Sequence, residues 1–379
     1  MFRELGNTLI RARWRYEQVR QLLALREDKQ AGDFRRLRSA FYERFWREAA
    51  QNIGAEAEDV GYGFLRIWKH GKWTLVNHHN VSLDDHLSLQ LAGNKPLMSR
   101  FLKENGWPVP RFLEYDLPAL GRAQEFLKGL KGSAVIKPAS GTGGGEGVTT
   151  KIIDNGRVKK ASFYAARFDR TLLIEEEVPG NSYRLLYLGG KLIDAVRRDS
   201  PTVIGDGRRS IHELMQQETA ERLCKPYPYR ALSPLTMDLE CVFNLQAQGL
   251  TLRQVPAANQ RIAVKSVINQ NCRWENHRVL ERVHPSLEQA CSRLVMALGL
   301  RLAGLDIMTR DIGVPLEDSG GYINEINTTP GLHHHVLVAK TDKTPPIAEL
   351  ILDEIFASSQ RSVMASPLAK VLPESCQWE

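Results

Sequence analysis

The run Ser140-Gly141-Thr142-Gly143-Gly144-Gly145-Glu146-Gly147 places five glycines in eight residues. Without Cβ atoms, backbone N–H groups can come close to an anion. With Lys137 just upstream, the combination suits a phosphate. A Walker A loop would need GxxxxGK[ST], a string the sequence lacks. A Rossmann fingerprint would need a helix next, whereas Val148-Thr149-Thr150-Lys151-Ile152-Ile153 is β-branched and strand-like. Two readings remain: a strand–loop–strand flap that folds over a nucleotide, with Lys137 reaching its phosphates, or a plain surface loop.

The second chemically equipped string is Ile323-Asn324-Glu325-Ile326-Asn327-Thr328-Thr329-Pro330-Gly331. Residues i and i+2 of a strand share a face, so Glu325 and Asn327 point together while Tyr322, Asn324 and Ile326 point away. A carboxylate beside an amide oxygen suits a hard cation such as Mg²⁺. Asp306 lies in the apolar string Ala303-Gly304-Leu305-Asp306-Ile307-Met308. An unpaired charge there would be costly, so it is either a further metal ligand or half of a buried salt bridge. His333-His334-His335 follows the same strand. Adjacent residues on a turn rarely converge on one ion, and a substrate-facing role suits them better. His78, His79, Asp84, Asp85 and His86 read as loop and helix cap, or as part of a substrate cleft. Cys272 has no ordered Cys/His/Asn set around it and reads as an inert thiol.

These residues need elements to hold them. Residues 8–50 carry apolar positions at helical spacing, including the stripe Phe34, Leu37, Phe41, Phe45, which reads as core packing. Phe64 to Val76 reads as strands around His70-Gly71-Lys72, and Leu83 to Leu91 as a helix. Trp107-Pro108-Val109-Pro110 cannot continue a helix. Ala134-Val135-Ile136 and Leu172-Leu173-Ile174 read as buried strands. Tyr183–Leu188 and Leu192–Val196 flank Gly189-Gly190-Lys191 as a hairpin. Ser286–Leu298 is an amphipathic helix, Ala303–Met308 and Tyr322–Asn327 are strands, and residues 345–357 close as a helix before a loose tail.

The chain has 379 residues, with 25% charged and 42% hydrophobic side chains. That composition argues against disorder and for two or three domains. No apolar run approaches the ~18 residues that span a bilayer, and the first residues do not form a secretory h-region. Five scattered cysteines with no CxxC pair indicate neither a disulfide framework nor a zinc ribbon. A cytoplasmic location fits. The formal net charge is +7, and residues 1–50 hold 12 Arg and Lys against 7 Asp and Glu. Arg11, Arg13 and Arg15 could meet nucleic acid, anionic lipid or an acidic partner. The interspersed Glu17 and Glu27, and the absence of an aromatic stacking pattern, favour a solvated helix face and argue against nucleic acid.

Taken in order, these strings resemble the ATP-grasp superfamily, in particular the ATP-grasp part of cyanophycin synthetase and glutathione-synthetase-like ligases. The resemblance runs from about Ala92 to Val336. It is carried by Ala92-Gly93-Asn94-Lys95, Val135-Ile136-Lys137-Pro138, the glycine loop, and Ile174-Glu175-Glu176-Glu177-Val178-Pro179-Gly180-Asn181-Ser182-Tyr183-Arg184. Val203-Ile204-Gly205-Asp206-Gly207, Gly249-Leu250 through Val255-Pro256, Ala303-Gly304-Leu305-Asp306 and Asn324-Glu325-Ile326-Asn327-Thr328-Thr329-Pro330-Gly331-Leu332 complete it. The resemblance implies an α/β ATP-grasp fold behind a helical, basic N-terminal domain. Its parts would be 1–92, a lid subdomain 93–187, a large subdomain 188–357 and a tail 358–379.

The site residues that the resemblance implies follow from the same strings. Lys95 and Lys137 would hold nucleotide phosphates under Ser140, Gly141, Gly143, Gly144 and Gly145. Glu175, Glu177 and Val178 would meet the adenine. Ser182 stands where the family has a ribose-binding acid. Asp306, Glu325 and Asn327 would hold two Mg²⁺ ions, with Mn²⁺ as an alternative, while Arg184, Arg198, Lys265 and Asn269 would face the reacting phosphate or substrate. Beyond Asn269 the family's glycine-rich turn is replaced by Gln270-Asn271-Cys272-Arg273. Nothing the size of cyanophycin synthetase's Mur-ligase-like half follows Pro345.

The implied activity is carboxylate–amine ligation through an acyl phosphate, with release of ADP and phosphate. Its substrates would be amino acids or peptides, and a dimer or tetramer is implied. The alternatives are a ligase that modifies a protein or peptide by docking an acidic partner, and a nucleotide-regulated binding protein that uses the basic N-terminus.

Overall fold

The computed structural model describes residues 34–140, 142–225, 232–340 and 344–358. Arg11, Arg13, Arg15, Gly141 and the 358–379 tail beyond Ser358 lie outside the described residues. The first helix, α1, covers residues 34–52. Of the expected stripe, Phe41 and Phe45 are buried along it while Phe34 and Leu37 are half-buried, and Tyr42 and Trp46 are buried beside them. A four-stranded antiparallel sheet follows: β1 (Glu56–Gly61), β2 (Phe64–Lys69), β3 (Lys72–Asn77) and β4 (Asn80–Val81), in that order. His70 and Gly71 both sit at positive φ, 48° and 74°. That is the geometry of a two-residue hairpin turn whose twist matches the strands.

Two short helices come next. In α2 (His86–Gly93) the Asp85 carboxylate accepts from the Leu87 and Ser88 amides. In α3 (Lys95–Glu104) Asn94 accepts from Leu97, and Pro96 occupies the first turn. Both caps leave Lys95 at the head of a helix.

The lid is an antiparallel sheet ordered β5-β8-β6-β7. Its elements are β5 (Phe112–Tyr115), α4 (Leu120–Lys128), β6 (Ala134–Pro138), β7 (Thr149–Ile152), α5 (Asn155–Ala165) and β8 (Leu172–Glu176). Ala123 and Leu127 of α4, and Val158, Ala161 and Ala165 of α5, pack on Ala134, Ile136, Ile152, Leu172 and Ile174. The glycine run joins β6 to β7, so strand–loop–strand holds over helix-after-loop.

The larger sheet begins with β9 (Asn181–Leu188) and β10 (Lys191–Arg198). A side module contains β11 (Thr202–Ile204), α6 (Ile211–Cys224), α7 (Leu239–Ala247) and β12 (Arg261–Ala263). After it come β13 (Asn276–Arg278), α8 (Pro285–Ala297), β14 (Leu302–Thr309), β15 (Tyr322–Asn327), α9 (His333–Val336) and α10 (Ile347–Ser358). The sheet order is β13-β10-β9-β14-β15, antiparallel throughout. Side chains alternate along β9. Tyr183, Leu185 and Tyr187 join a core with α8, Ala92, Met98 and Leu102. On the opposite face Leu186 and Leu188 join a core with α1, the β2–β3 hairpin and α10.

This arrangement moves two expected boundaries. The lid was expected to span 93–187, but α2 and α3 pack on the large sheet, and β9 lies at that sheet's centre. The lid sheet spans only β5 to β8. The N-terminal part, expected as a domain of its own at 1–92, shares one hydrophobic core with the large sheet over its described residues.

Candidate functional site

The charged floor of the site lies on one face of the large sheet. Asp306 of β14 pairs in register with Glu325 of β15, and Gly304 with Asn327, so the three donor-bearing side chains share one face. The strict alternation expected of β15 is interrupted. The register slips between Asp306 and Ile307, leaving Asn324 unpaired, and Ile323 therefore joins Ile326 in the core. The bulge re-aims the strand and keeps Glu325 and Asn327 on the open side.

Asp306 is nearly sealed, at 6% exposure. Arg184 grips it with Nε and Nη2, each 2.7 Å from a carboxylate oxygen. Arg198 Nη2 stands 3.0 Å from Oδ2. Such planar, two-pronged pairing is what guanidinium offers and ammonium does not. Burial alone would raise the Asp306 carboxyl; Arg184 and Arg198 overcome that and hold it at about 2. Burial, then repulsion from Arg184, brings Arg198 down to about 10. Ser182 Oγ accepts from Arg198 Nη2 at 3.3 Å, while Arg198 Nε is buried with no partner among the described residues. Gly304 makes room for this assembly: a Cβ there would lie 2.9 Å from Pro330 and 3.5 Å from Arg184. Lys95 meets Glu325 at 3.2 Å. Formally, three cations surround two carboxylates, so the floor retains positive charge for an anionic ligand. Asn327 gives its amide nitrogen to Gly304 O at 3.3 Å.

The oxygen donors Asp306, Glu325 and Asn327 fit a hard cation in kind. The salt-bridge alternative for Asp306 is also realised, since its oxygens hold Arg184 and Arg198. Among the described residues no three His, Cys, Asp or Glu side chains gather as a metal set. The histidine run is not gathered into such a set. His333 instead bonds Tyr42, and His335 Nδ1 bonds the Asp194 carboxylate at 2.8 Å.

In the lid, Lys137 and Glu175 lie on the neighbouring strands β6 and β8 and form a buried ion pair at 2.7 Å. Glu177 accepts from Ser133 Oγ at 2.6 Å and pairs with the Lys151 ammonium. Lys151 is in the left-handed region, φ 56°, beside the irregular register of β6 and β7. Val178 lies half-buried in the connector from lid to large sheet. Ser140 is pinned by its amide and hydroxyl to Asp169 at 2.9 and 2.8 Å. Gly144, Gly145 and Gly147 all have positive φ; Gly143 does not.

The loop leans on the large unit. A Cβ on Gly145 would lie 2.6 Å from Val267 and 2.9 Å from the Asn269 amide nitrogen. Lys265 is buried and bonds Asp238 at 2.6 Å and Thr236 at 3.1 Å. Glu240 is fully buried, and its Oε1 accepts from the Ser266 and Val267 amides and from Thr150 of the lid. Burial raises its carboxyl, with Lys265 opposing. The Asn269 oxygen is buried without a partner among the described residues. The structure thus gathers the named residues into three groups: the floor, the Lys137–Glu175 lid pair, and Lys265 with Asn269 against the glycine loop. Asp238, Glu240 and Asp169, which hold the named residues, escaped the sequence reading. Asp238 and Glu240 head a helix, where acids are routinely caps, and no local spacing ties them to Lys265.

No family model matches the chain. Cyanophycin synthetase of Trichormus variabilis is 29% identical over 330 residues, covering 83% of this chain and 36% of that protein. The glutathione biosynthesis bifunctional protein GshAB of Streptococcus mutans is 27% identical over 296 residues, 75% of this chain and 38% of that one. The chain thus spans little more than a third of the length of these relatives. A bifunctional glutathione synthetase from Pasteurella multocida superposes with a TM-score of 0.51 at 22% identity, over 83% of this chain and 43% of that one. The chain has the ATP-grasp fold and is a sequence relative of cyanophycin synthetase and of the bifunctional glutathione biosynthesis proteins.

Proposed function

We propose that the chain is an ATP-dependent carboxylate–amine ligase that joins amino acids, or a peptide and an amino acid, through an acyl phosphate. The observation that carries this reading is the floor: Asp306 and Glu325 face each other across two strands, ringed by Arg184, Arg198 and Lys95. Positive charge fixed in a buried site stabilises the charge of a transferring phosphoryl group without reorganisation. Lys95 and Lys137 would neutralise nucleotide phosphates, and the glycine loop would cover them. Arg198 and Lys265 would steady the acyl phosphate and the oxyanion formed when the amine attacks. Asp306, Glu325 and Asn327 would hold two Mg²⁺, which supply charge neutralisation at the phosphates when bound. Closure of the lid would exclude the water that hydrolyses an acyl phosphate.

The test is a pairwise screen of amino acids and short peptides for ADP release, with hydroxylamine as a substitute amine and mass spectrometry of the products. The expected result is a hydroxamate formed in step with ADP. AMP and pyrophosphate as products would overturn the reading.

A further inference from the structure

The face that carries Asp306 and Arg184 runs directly into the N-terminal unit, because Leu186 and Leu188 of the same strand pack on α1. Where the charged end meets that packing, four side chains from three parts of the chain come together: Tyr42 of α1, His79 after β3, and His333 and His334 of α9. The Tyr42 hydroxyl lies 2.8 Å from His333 Nδ1 and accepts from the His333 amide at 3.4 Å. Its ring centroid is 5.8 Å from that of His79. The His333 and His334 rings are 4.0 Å apart. Beside them His78 stacks on Tyr42 at 6.2 Å and bonds Ser39 at 2.8 Å.

What this wall offers depends on the tautomer of His333. Tyr42 accepts from the backbone amide, which leaves its own proton for His333 Nδ1 in the tautomer where that nitrogen is the acceptor. In the neutral ring the remaining proton then sits on Nε2. That atom is buried, in a residue 4% exposed, and has no partner among the described residues. A buried N–H without an acceptor is uncommon and calls for an oxygen from outside. A cavity of about 210 Å³ on the N-terminal side touches Tyr42 alone of the four; Ser39, His78, Glu43 and Asp59 also line it.

The formal charges that act on His79, His333 and His334 are guanidiniums. Burial and then Arg38 push His79 down to about 4. Burial also keeps His333 and His334 well below the usual histidine value, with Arg38 acting next on the first and Arg184 and Arg198 on the second. The rings are therefore neutral at neutral pH, and the potential across them comes from guanidiniums.

We propose that Tyr42, His79, His333 and His334 form the binding wall for a substrate carboxylate that the reaction leaves intact, carried by an amino acid or a peptide. The proposal rests on the ligase reading for its place in the reaction, and its test has an arm that does not. Imidazole nitrogen spectra of the nucleotide-free protein are recorded during titration with glycine, aspartate, glycylglycine and, as an amine lacking a carboxylate, ethylamine. Saturable shifts of the His79, His333 and His334 signals are expected with at least one carboxylate probe and none with ethylamine. Those shifts should be lost in Tyr42→Phe.

In the ADP-release assay, Tyr42→Phe and the half-exposed His334→Gln should raise KM for a carboxylate-bearing amine at least tenfold, while KM for ATP moves less than twofold. Absence of shifts with every carboxylate, or equal shifts with ethylamine, overturns the wall whatever the enzyme assay gives. Clear carboxylate shifts with no ADP released from any pair would instead leave the wall standing and remove the ligase reading.

Discussion

Lys137 and Glu175 show how much a single side chain here depends on its neighbour. Both are nearly sealed, at 6% exposure each, and each compensates the other's charge. Lys137→Ala should therefore do more than abolish ATP turnover. Removing one member of a buried pair strands the other charge, at a cost of about 3–5 kcal/mol. The variant should melt well below the parent, and Lys137→Met with Glu175→Gln should recover most of that loss without recovering turnover. Equal melting temperatures for Lys137→Ala and the parent would remove the pair from the stability account. Glu325 is more open, with 30% of its side chain exposed. Glu325→Ala should lose turnover with little change in melting.

Asp306 makes a prediction about pH. Its folded value of about 2 lies below that of an unfolded carboxyl near ~3.9. It thus adds stability that is complete above about pH 4 and lost as pH falls through about 2. The melting difference between the parent and Asp306→Asn should be largest near neutrality and close over that window. A difference that stays constant down to pH 2 would contradict the pairing. At this scale the sequence named the residues but not their partners. The grip of Arg184 on Asp306 spans 122 positions and that of Lys265 on Asp238 spans 27, and no local periodicity reports such distances.

The glycine loop separates two effects that composition merges. Gly145→Ala would drive a methyl into Val267 and Asn269 across the gap between lid and large unit. It should raise KM for ATP and leave the melting temperature within a few degrees. Gly147→Ala would instead strike Pro138 at 2.7 Å and Phe168 at 2.8 Å, both in the lid. It should lower lid stability, read as faster proteolysis between β5 and β8. Gly144 faces open space at φ 62°, so Gly144→Ala should cost only about 1 kcal/mol of backbone strain. If all three behave alike, the contacts assigned to the loop are wrong. Strands and hairpins were legible because their period and turn residues are local signals. The β2–β3 hairpin, the β9–β10 hairpin and α8 all fall where the pattern puts them. The bulge at Asn324 was not legible, because a single extra residue leaves composition unchanged while reversing the alternation. The lid's edge at β9 was missed for a related reason: Tyr183–Leu188 is as apolar as any lid strand, and only pairing reveals its sheet.

At the scale of the molecule, the described N-terminal residues belong to the same body as the large sheet. Phe41, Tyr42, Trp46, Leu65 and Ile67 share a core with Leu186, Leu188, Leu302, Ile351 and Leu352. A chain lacking residues 34–52 would expose those leucines and should be insoluble or aggregated on gel filtration. A monodisperse truncation product that keeps the parent's helix and strand content would show the two parts to be separable. The sequence reading placed a boundary at residue 92 because the strings that resemble the ATP-grasp superfamily begin at Ala92. Patterning marks where elements change, and says nothing about which cores they share. The central position of β9 has a further consequence for motion on the timescale of hours. Its amides are flanked on both sides, by β10 and β14, and its side chains enter a core on each face. The backbone protons of Arg184 to Leu186 can thus reach water only when the whole body opens. In deuterium they should be among the last to exchange, while β7, at the open margin of the lid sheet, exchanges early.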